Sequence, residues 1–374
     1  MFSETDFRIH TQPKEIVTAS FEWSAPSNIA LVKYWGKKEH QLDTFGNTAT
    51  QIPANPSLSF TLKNCKTITK TTFTKKNRST AASNLLSFEF LFEGAPKTTF
   101  NPKIATFLDR IVAFCPYLKE YQIVIDSKNT FPHSSGIASS ASSMAALSVN
   151  IMSLEKQLYP DLSEERFYAK ASFLARLGSG SACRSIKGNT VIWGKHDLIP
   201  SSTNLFGVPT PFQLHTVFEN YQDTILLVDK GEKQVSSSVG HNLMHNHPFA
   251  ANRFEQAHQN LSKLVAVLKN GDLDTFIEIV ESEAITLHAM MMTSLPYFVL
   301  MKPNTLAILN TIWEFRRQSK IPICFTLDAG ANVHVLYPKS AQEKTLQFIK
   351  DELVVYCQNG QYICDEMGFG AIEN

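Results

Sequence analysis

Along the first third of the chain, apolar residues recur mainly at every second position. Leu58, Phe60 and Leu62 alternate with Ser57, Ser59 and Thr61, and Phe88, Phe90 and Phe92 repeat at the same period within Ser87–Glu93. Period two puts successive side chains on opposite faces of a pleated backbone, so both runs predict strands. Glu93-Gly94-Ala95-Pro96 then breaks the second strand. Ile104, Phe107, Leu108, Ile111 and Val112 fall instead at helical spacing, which predicts an amphipathic helix over Pro102–Phe114. Tyr121, Ile123 and Ile125 restore period two. After the loop Asn129–Gly136, Met144, Leu147, Ile151 and Leu154 mark one face of a helix running to about Lys156. Ser163 has the N-cap position of the next helix, with Glu164 and Glu165 in the first turn where the helix dipole favours carboxylates. That helix should end near Gly178.

The segment Pro200–Pro211 carries three prolines and no periodicity, so a domain boundary is placed there, giving halves 1–205 and 206–374. Beyond it the pattern predicts a strand at Thr224–Val228 and helices over Arg253–Lys269 and Leu273–His288. A strand pair flanks Asp328, and a last helix over Ala341–Glu352 precedes C-terminal strands. Strands and helices mingle in both halves without a regular βαβ repeat, which favours an α+β fold over a doubly wound sheet. No internal repeat or low-complexity tract interrupts the pattern.

Composition narrows the function classes. With 374 residues, 35 Lys+Arg, 34 Asp+Glu and a net charge of +1, the chain has no general surface for nucleic acid or anionic membrane, though a local basic pocket is compatible with it. Folding a chain of this length buries roughly three quarters of the extended-chain surface. Aliphatic runs reach only about five residues, as in Leu264–Leu268, against the roughly 18 that span a bilayer. Met1–Glu15 contains Glu4, Asp6, Arg8 and Lys14 and no apolar stretch, so it is not expected to be a signal peptide. The six cysteines are scattered, with no C-x-x-C pair, and read as reduced thiols of a cytoplasmic protein rather than a metal cluster or disulfide frame.

Four segments carry candidate chemistry. Pro132-His133-Ser134-Ser135-Gly136-Ile137-Ala138-Ser139-Ser140 runs into a helix, and such a small-residue loop exposes N–H groups to an anion. Hydroxyls at Ser139 and Ser140 can meet phosphate oxygens or Mg2+. No Walker A pattern is present, and a small-residue packing seam explains the same string. Ala25–Lys37 (APSNIALVKYWGK) holds Lys33 and Lys37 four apart beside Tyr34 and Trp35, which suits a polyphosphate or simply a solvated lysine face. In Gly178-Ser179-Gly180-Ser181-Ala182-Cys183-Arg184-Ser185, Arg184 either grips a ligand carboxylate through two parallel hydrogen bonds or pairs with a neighbouring acid. In Thr326-Leu327-Asp328-Ala329-Gly330-Ala331-Asn332, Asp328 either caps a turn or faces a substrate hydroxyl, with a lysine near enough to keep it ionised. His241, His245 and His247 lack an acid or cysteine to complete a metal site, and none is assigned there. Met290–Met292 reads as core filler.

These segments, in this order, resemble the diphosphomevalonate decarboxylase family of the GHMP kinase superfamily. The resemblance rests on APSNIALVKYWGK (Ala25–Lys37), IPANPSLSFTL (Ile52–Leu62), FPHSSGIASSASSMAAL (Phe131–Leu147), GSGSACRS (Gly178–Ser185), KQVSSSVG (Lys233–Gly240) and LDAGAN (Leu327–Asn332). The family commonly has Pro where Ala331 stands, which should change only turn stiffness. It often has Thr-Ala-Ala where His133-Ser134-Ser135 stands, a difference inside the phosphate loop.

The resemblance implies a two-domain α/β-type fold with a left-handed β-α-β crossover in its N-terminal half and the site in the cleft between domains. It implies ATP-dependent decarboxylation of mevalonate 5-diphosphate to isopentenyl diphosphate. Asp328, Lys33 and Arg184 would carry the chemistry, and Asn28, Tyr34, Lys37, Ser181 and Ser237 would contact the substrate. Ser135, Gly136, Ser139 and Ser140 would hold the ATP phosphates. Mg2+ would bind mainly through those phosphates, with Ser139 or Ser140 as protein ligands, and the assembly would be a cytoplasmic homodimer. Asp328 and Lys33 argue against relatives that stop at 3-phosphorylation, and the three residues together argue against a silent nucleotide binder. They leave open whether C5 carries one phosphate or two.

Overall fold

The computed structural model describes residues 2–38, 51–77, 85–132, 137, 139–229, 231 and 237–374, and of 237 and 238 the backbone alone. Two long strands, β1 (Thr18–Val32) and β2 (Ser57–Lys75), pair antiparallel from Thr18↔Thr74 to Val32↔Leu58. The register shifts between Pro26 and Asn28 and again between Ala30 and Val32. Proline brings no N–H to the ladder, and an irregularity is where a strand tolerates it. β3 (Ser87–Phe92), the short β4 (Ala95–Pro96) and α1 (Asn101–Ile111) lead to β5 (Tyr121–Asn129), which is parallel to β3 and antiparallel to β2. α2 (Ser139–Leu158) packs on this sheet and α3 (Glu164–Gly178) packs on α2, and β6 (Thr190–Trp193) and β7 (Val208–Pro209) extend the sheet from β2.

The second half supplies β8 (Gln222–Leu226), the short α4 (Ser237–Asn242), α5 (Ala250–Asn270), α6 (Leu273–Met292) and α7 (Pro303–Ser319). It continues with β9 (Cys324–Leu327), β10 (Val333–Tyr337), α8 (Gln342–Phe348), β11 (Tyr362–Glu366) and β12 (Ile372–Glu373). A four-stranded antiparallel sheet runs β11-β8-β10-β9. β12 returns to pair with β1, so the eight-stranded sheet runs β12-β1-β2-β5-β3-β4 with β6 and β7 branching from β2. The arrangement is the expected α+β one. The Asp365 carboxylate ties the sheets together by accepting the N–H groups of Lys63, Asn64 and Cys65 at 3.0, 2.8 and 2.7 Å.

Most predicted elements are present. β5 buries Tyr121, Ile123 and Ile125 at period two, and the Ser163 hydroxyl caps α3 by accepting the Arg166 N–H. α2 differs in character. It is buried all round rather than on one face, and its small polar side chains bond to its own backbone, to β2 and to a β1 indole. Ser148 donates to the Met144 carbonyl, Asn150 to the Thr69 carbonyl, and Ser153 accepts from the Trp23 indole. The predicted C-terminal helix is α8 followed by a π turn over Ile349–Leu353, and this wider winding carries Phe348, Ile349 and Leu353 into one core cluster. Unpredicted elements include β1 over its whole length, the continuation of β2 from Lys63 to Lys75, β6 and the whole of α7.

Candidate active site

The site forms where the end of β1 meets the end of β9. Lys33, the residue after β1, is buried, and its ammonium lies 3.3 Å from the Asp328 carboxylate, which follows β9 and is partly open. Burial lowers the Lys33 pKa below the usual lysine value, and the Asp328 carboxylate opposes that shift. The structure therefore joins two residues that the sequence keeps 295 positions apart. The His288 ring on α6 donates from Nε2 to the Asp328 carbonyl at 3.1 Å; a carbonyl only accepts, so the tautomer follows.

Arg184 lies in a 3-10 turn, Gly180–Ser185, that follows α3. It is 3% exposed, and its hydrogen bonds run to neutral oxygens: Nε to Asn28 Oδ1 at 3.3 Å and Nη1 to Ser57 Oγ. Among the described residues no carboxylate pairs with it at salt-bridge distance, so the neighbouring-acid alternative is not what the fold adopts. A guanidinium stays charged, and a buried one calls for an anion. Asn28 is committed to this arrangement, donating to the Ser181 carbonyl and to Ser185 Oγ at 3.1 and 2.8 Å. Its place is behind Arg184, orienting it.

Tyr34 packs edge-on against Trp193, and its hydroxyl is buried with no hydrogen-bond partner. Burial raises its pKa well above the usual tyrosine value, so it remains a donor. A Cβ added to Gly180 would come within 3.1 Å of that hydroxyl, so glycine there keeps the space in front of Tyr34 open. The Trp35 indole N–H is likewise buried and unpartnered. The idle Tyr34 hydroxyl, in the space that Gly180 keeps open, is a buried donor available to an oxygen-rich anion. Lys37 is half-buried and faces Arg110 of α1; burial, then the mutual repulsion, lowers the Lys37 pKa. The sequence pattern gives no sign that Arg110 neighbours Lys37, because only the packing of α1 brings it there.

Ser139 and Ser140 form the first turn of α2, and Ser140 Oγ lies 3.3 Å from Ser179 Oγ. They line a cavity of about 190 Å3 with Phe90, Phe92, Phe100 and Lys103. The half-buried phenylalanines of β3, read from sequence as simple strand alternation, are wall residues here. A larger recess of about 420 Å3 lies against Asp274, Glu278, Glu281 and Arg316, where three carboxylates would repel a phosphate. Ser135 and Gly136 lie outside the described residues, as does the side chain of Ser237, whose backbone opens α4. Ser181 is half-buried beside Arg184, with its carbonyl engaged by Asn28. Ala331 is buried and its carbonyl accepts from Thr305 at 2.7 Å.

The rings of His241 and His247 have structural partners. His241 Nδ1 accepts the Gly36 N–H at 3.0 Å and the ring packs on Tyr34 and Trp35, while His247 accepts the Phe249 N–H at Nδ1 and donates from Nε2 to the Met290 carbonyl at 3.1 Å. No group of three or more His, Cys, Asp or Glu able to hold a metal occurs among the described residues. The hydroxyls of Ser139 and Ser140 are hard oxygen donors, which fit magnesium that arrives on phosphates better than a metal caged by protein.

Burial lowers the His288 pKa to about 4. The unfolded chain, with an ordinary value near 6.5, therefore takes up this proton first. The stabilising contribution is complete above that value and is lost as pH falls toward 4, about 3 kcal/mol over the window. Urea midpoints measured at pH 7 and pH 4.5 should show the unmodified protein losing more stability than His288→Gln. Equal losses would mean that this proton is not excluded by the fold.

An α+β fold of GHMP kinase type, with a lysine–aspartate pair and a buried arginine at one site, defines the class as proteins that handle phosphorylated small molecules. Residues 25–203 match the family described as diphosphomevalonate decarboxylase-like N-terminal domain, and residues 224–367 match the mevalonate 5-diphosphate decarboxylase C-terminal domain. The chain belongs to the diphosphomevalonate decarboxylase family. It is 28% identical to the diphosphomevalonate decarboxylase of Ganoderma lucidum over 93% of this chain and 85% of that one. The crystal structure of mevalonate diphosphate decarboxylase from Staphylococcus aureus is similar with a TM-score of 0.78 and 28% identity, covering 96% of this chain and 98% of that one. A structure of MDDEF in complex with MVAPP, AMPPCP and magnesium gives 0.78 and 27%, covering 96% and 99%.

Proposed function

We propose that the protein catalyses the ATP-dependent decarboxylation of mevalonate 5-diphosphate to isopentenyl diphosphate, releasing ADP, phosphate and CO2. The observation that carries this is the buried Arg184 guanidinium, paired with no carboxylate among the described residues, in the same site as the Lys33–Asp328 pair. Phosphoryl transfer alone needs no such clamp; a substrate carboxylate does.

A tertiary hydroxyl is a poor leaving group, so the 3-hydroxyl is phosphorylated first. Asp328 faces it as base or orienting anion, and Lys33 keeps that carboxylate ionised and close. The hydroxyl proton leaves, the oxygen bonds the γ-phosphorus, and ADP departs. Loss of the new phosphate builds positive charge at C3. The electrons of the bond between C2 and the carboxyl carbon then form the C2–C3 double bond as CO2 leaves. Arg184 holds the carboxylate so that this bond is aligned with the breaking C3–O bond. Tyr34, Lys37, Ser181 and Ser237 are assigned to the diphosphate and the substrate backbone. Asn28 acts through Arg184.

ATP is the co-substrate and Mg2+ the metal. Ser139 and Ser140, with Ser135 and Gly136, are assigned to the ATP phosphates, and the phenylalanine-lined cavity beside them suits the base. Magnesium, when bound with the nucleotide, neutralises phosphate charge. The division into halves 1–205 and 206–374 belongs to this proposal, supported by the separate family matches ending at 203 and resuming at 224. So do a homodimer, implied by the resemblance, and a cytoplasmic location, supported by six free cysteines. No helix among the described residues is long and apolar enough to cross a membrane.

The test is turnover on (R)-mevalonate, its 5-phosphate and its 5-diphosphate, following ADP and CO2 separately. Equal ADP and CO2 from the 5-diphosphate alone is expected. ADP without CO2 would make it a 3-kinase, and CO2 chiefly from the 5-phosphate would change the substrate.

A further inference from the structure

Lys33 and Asp328 come from different sheets, and each is bonded through its main chain to the same helix. The Lys33 N–H donates to Glu283 Oε2 at 2.8 Å, and the Asp328 carbonyl accepts from His288 Nε2 at 3.1 Å. Glu283 and His288 both lie on α6, five residues and roughly 7.5 Å apart along the axis. Both are almost completely buried.

Glu283 is itself held from several sides. Arg253 of α5 pairs with it through Nη1 at 3.1 Å and Nη2 at 2.5 Å, and Asn260 donates to it at 2.7 Å. Arg253 Nη2 also reaches the Lys33 carbonyl at 3.3 Å, where Asn55 donates at 2.9 Å. The peptide units on both sides of the Lys33 Cα are thus fixed by buried charged or amide groups. A fully buried ion pair is expensive, and hydrophobic replacement of such pairs is often neutral or stabilising. Stability alone therefore gives little account of Arg253–Glu283. A need to hold one backbone segment in one place accounts for it.

We propose that Glu283 and His288 are positioning residues, which from one helix hold the main chain at Lys33 and at Asp328 and so set the approach of the two reactive side chains. The inference rests on the roles of Lys33 and Asp328 argued above. It adds that the geometry of the pair is imposed by α6 and is not a property of the two loops that carry it. A shift of about 1 Å in such a pair can cost about a hundredfold in rate.

The experiment measures kcat, both KM values, nucleotide affinity and thermal midpoint for His288→Phe, His288→Gln, Glu283→Gln and Asp328→Asn in the full-length protein. His288→Phe removes the donor to the Asp328 carbonyl and should lower kcat about thirtyfold to a hundredfold, with KM values and nucleotide affinity within about threefold. His288→Gln retains an N–H donor and should recover most of that loss. Glu283→Gln should lower kcat similarly. Equal kcat losses in Phe and Gln at 288, in proteins that bind nucleotide normally, would overturn the inference, as would full kcat in Glu283→Gln. If His288→Phe does not fold, the Glu283→Gln result and the partial activity of His288→Gln decide. The two readings fail separately. Active Asp328→Asn would remove the catalytic assignment itself, whereas inactive Asp328→Asn with unaffected Glu283 and His288 variants would remove only the positioning role.

Discussion

Asp328→Asn should lower kcat on the order of a thousandfold to ten-thousandfold while nucleotide affinity stays within about twofold. Two losses combine in this variant. The amide cannot take the proton of the 3-hydroxyl, and it no longer offers Lys33 a negative charge. Lys33 is 2% exposed, and its burial already lowers its pKa, with the Asp328 carboxylate the largest opposing influence. Without that carboxylate the strongest influence favouring the ammonium is gone, so the Lys33 pKa falls further just as the base is lost. Nucleotide binding is spared because Ser139 and Ser140 belong to α2, on the other sheet. Single-turnover release of ADP and CO2, with a separate nucleotide titration, measures both quantities. Near-normal turnover would take Asp328 out of the mechanism.

How far the sequence reaches is set by the range of the interaction involved. Local periodicity located β5, α1 and α5, because alternate or helical burial follows from a single face. It misjudged α2, whose Ser148, Asn150 and Ser153 look like a polar face until the backbone and the Trp23 indole supply their partners. It passed over α7, where burial is confined to Thr305, Ile308, Leu309 and Ile312, and where Leu306 and Trp313 are exposed. Pro303 in its first turn was the available signal.

Site residues divide in the same way. Lys33, Arg184 and Asp328 were legible through the strings that resemble the family, since each charge taken alone also had an ordinary structural reading. Glu283 and Arg253 did not, although each falls in phase with an apolar stripe: Arg253 with Ala257, Leu261 and Leu264, and Glu283 with Phe276, Val280 and Leu287. A charge phased with the buried face of a helix is the readable sign of an internal anchor. Ser57 and Trp193, which complete the Arg184 pocket, are ordinary strand residues in sequence and become functional only when β2 and β6 pair.

Arg184→Lys should lower kcat/KM by about thirtyfold to several thousandfold, matching the roughly 2–5 kcal/mol for breaking a buried hydrogen-bonded charge pair. The guanidinium is planar: Nε donates to Asn28 and Nη1 to Ser57, and its carbon lies 5.9 Å from the centre of the Trp193 ring. Nη2 and the second hydrogen of Nη1 are the donors assigned to a two-point grip on a carboxylate. An ammonium at the end of a lysine is a point charge, and it cannot satisfy Asn28 and Ser57 while holding both carboxylate oxygens. The kinetic form of the loss is also informative. A carboxylate loses its charge as it becomes CO2, so a cation that merely attracted it would bind the ground state better than the transition state and slow the reaction. The benefit of Arg184 must lie in direction, holding the bond to be broken in line with the departing phosphate. Arg184→Lys is therefore expected to lower kcat as well as raise KM for the phosphorylated acid, with nucleotide affinity unchanged as the control on folding. A rise in KM alone, with kcat intact, would reduce Arg184 to a binding contact, and unchanged kinetics would remove it from the site altogether.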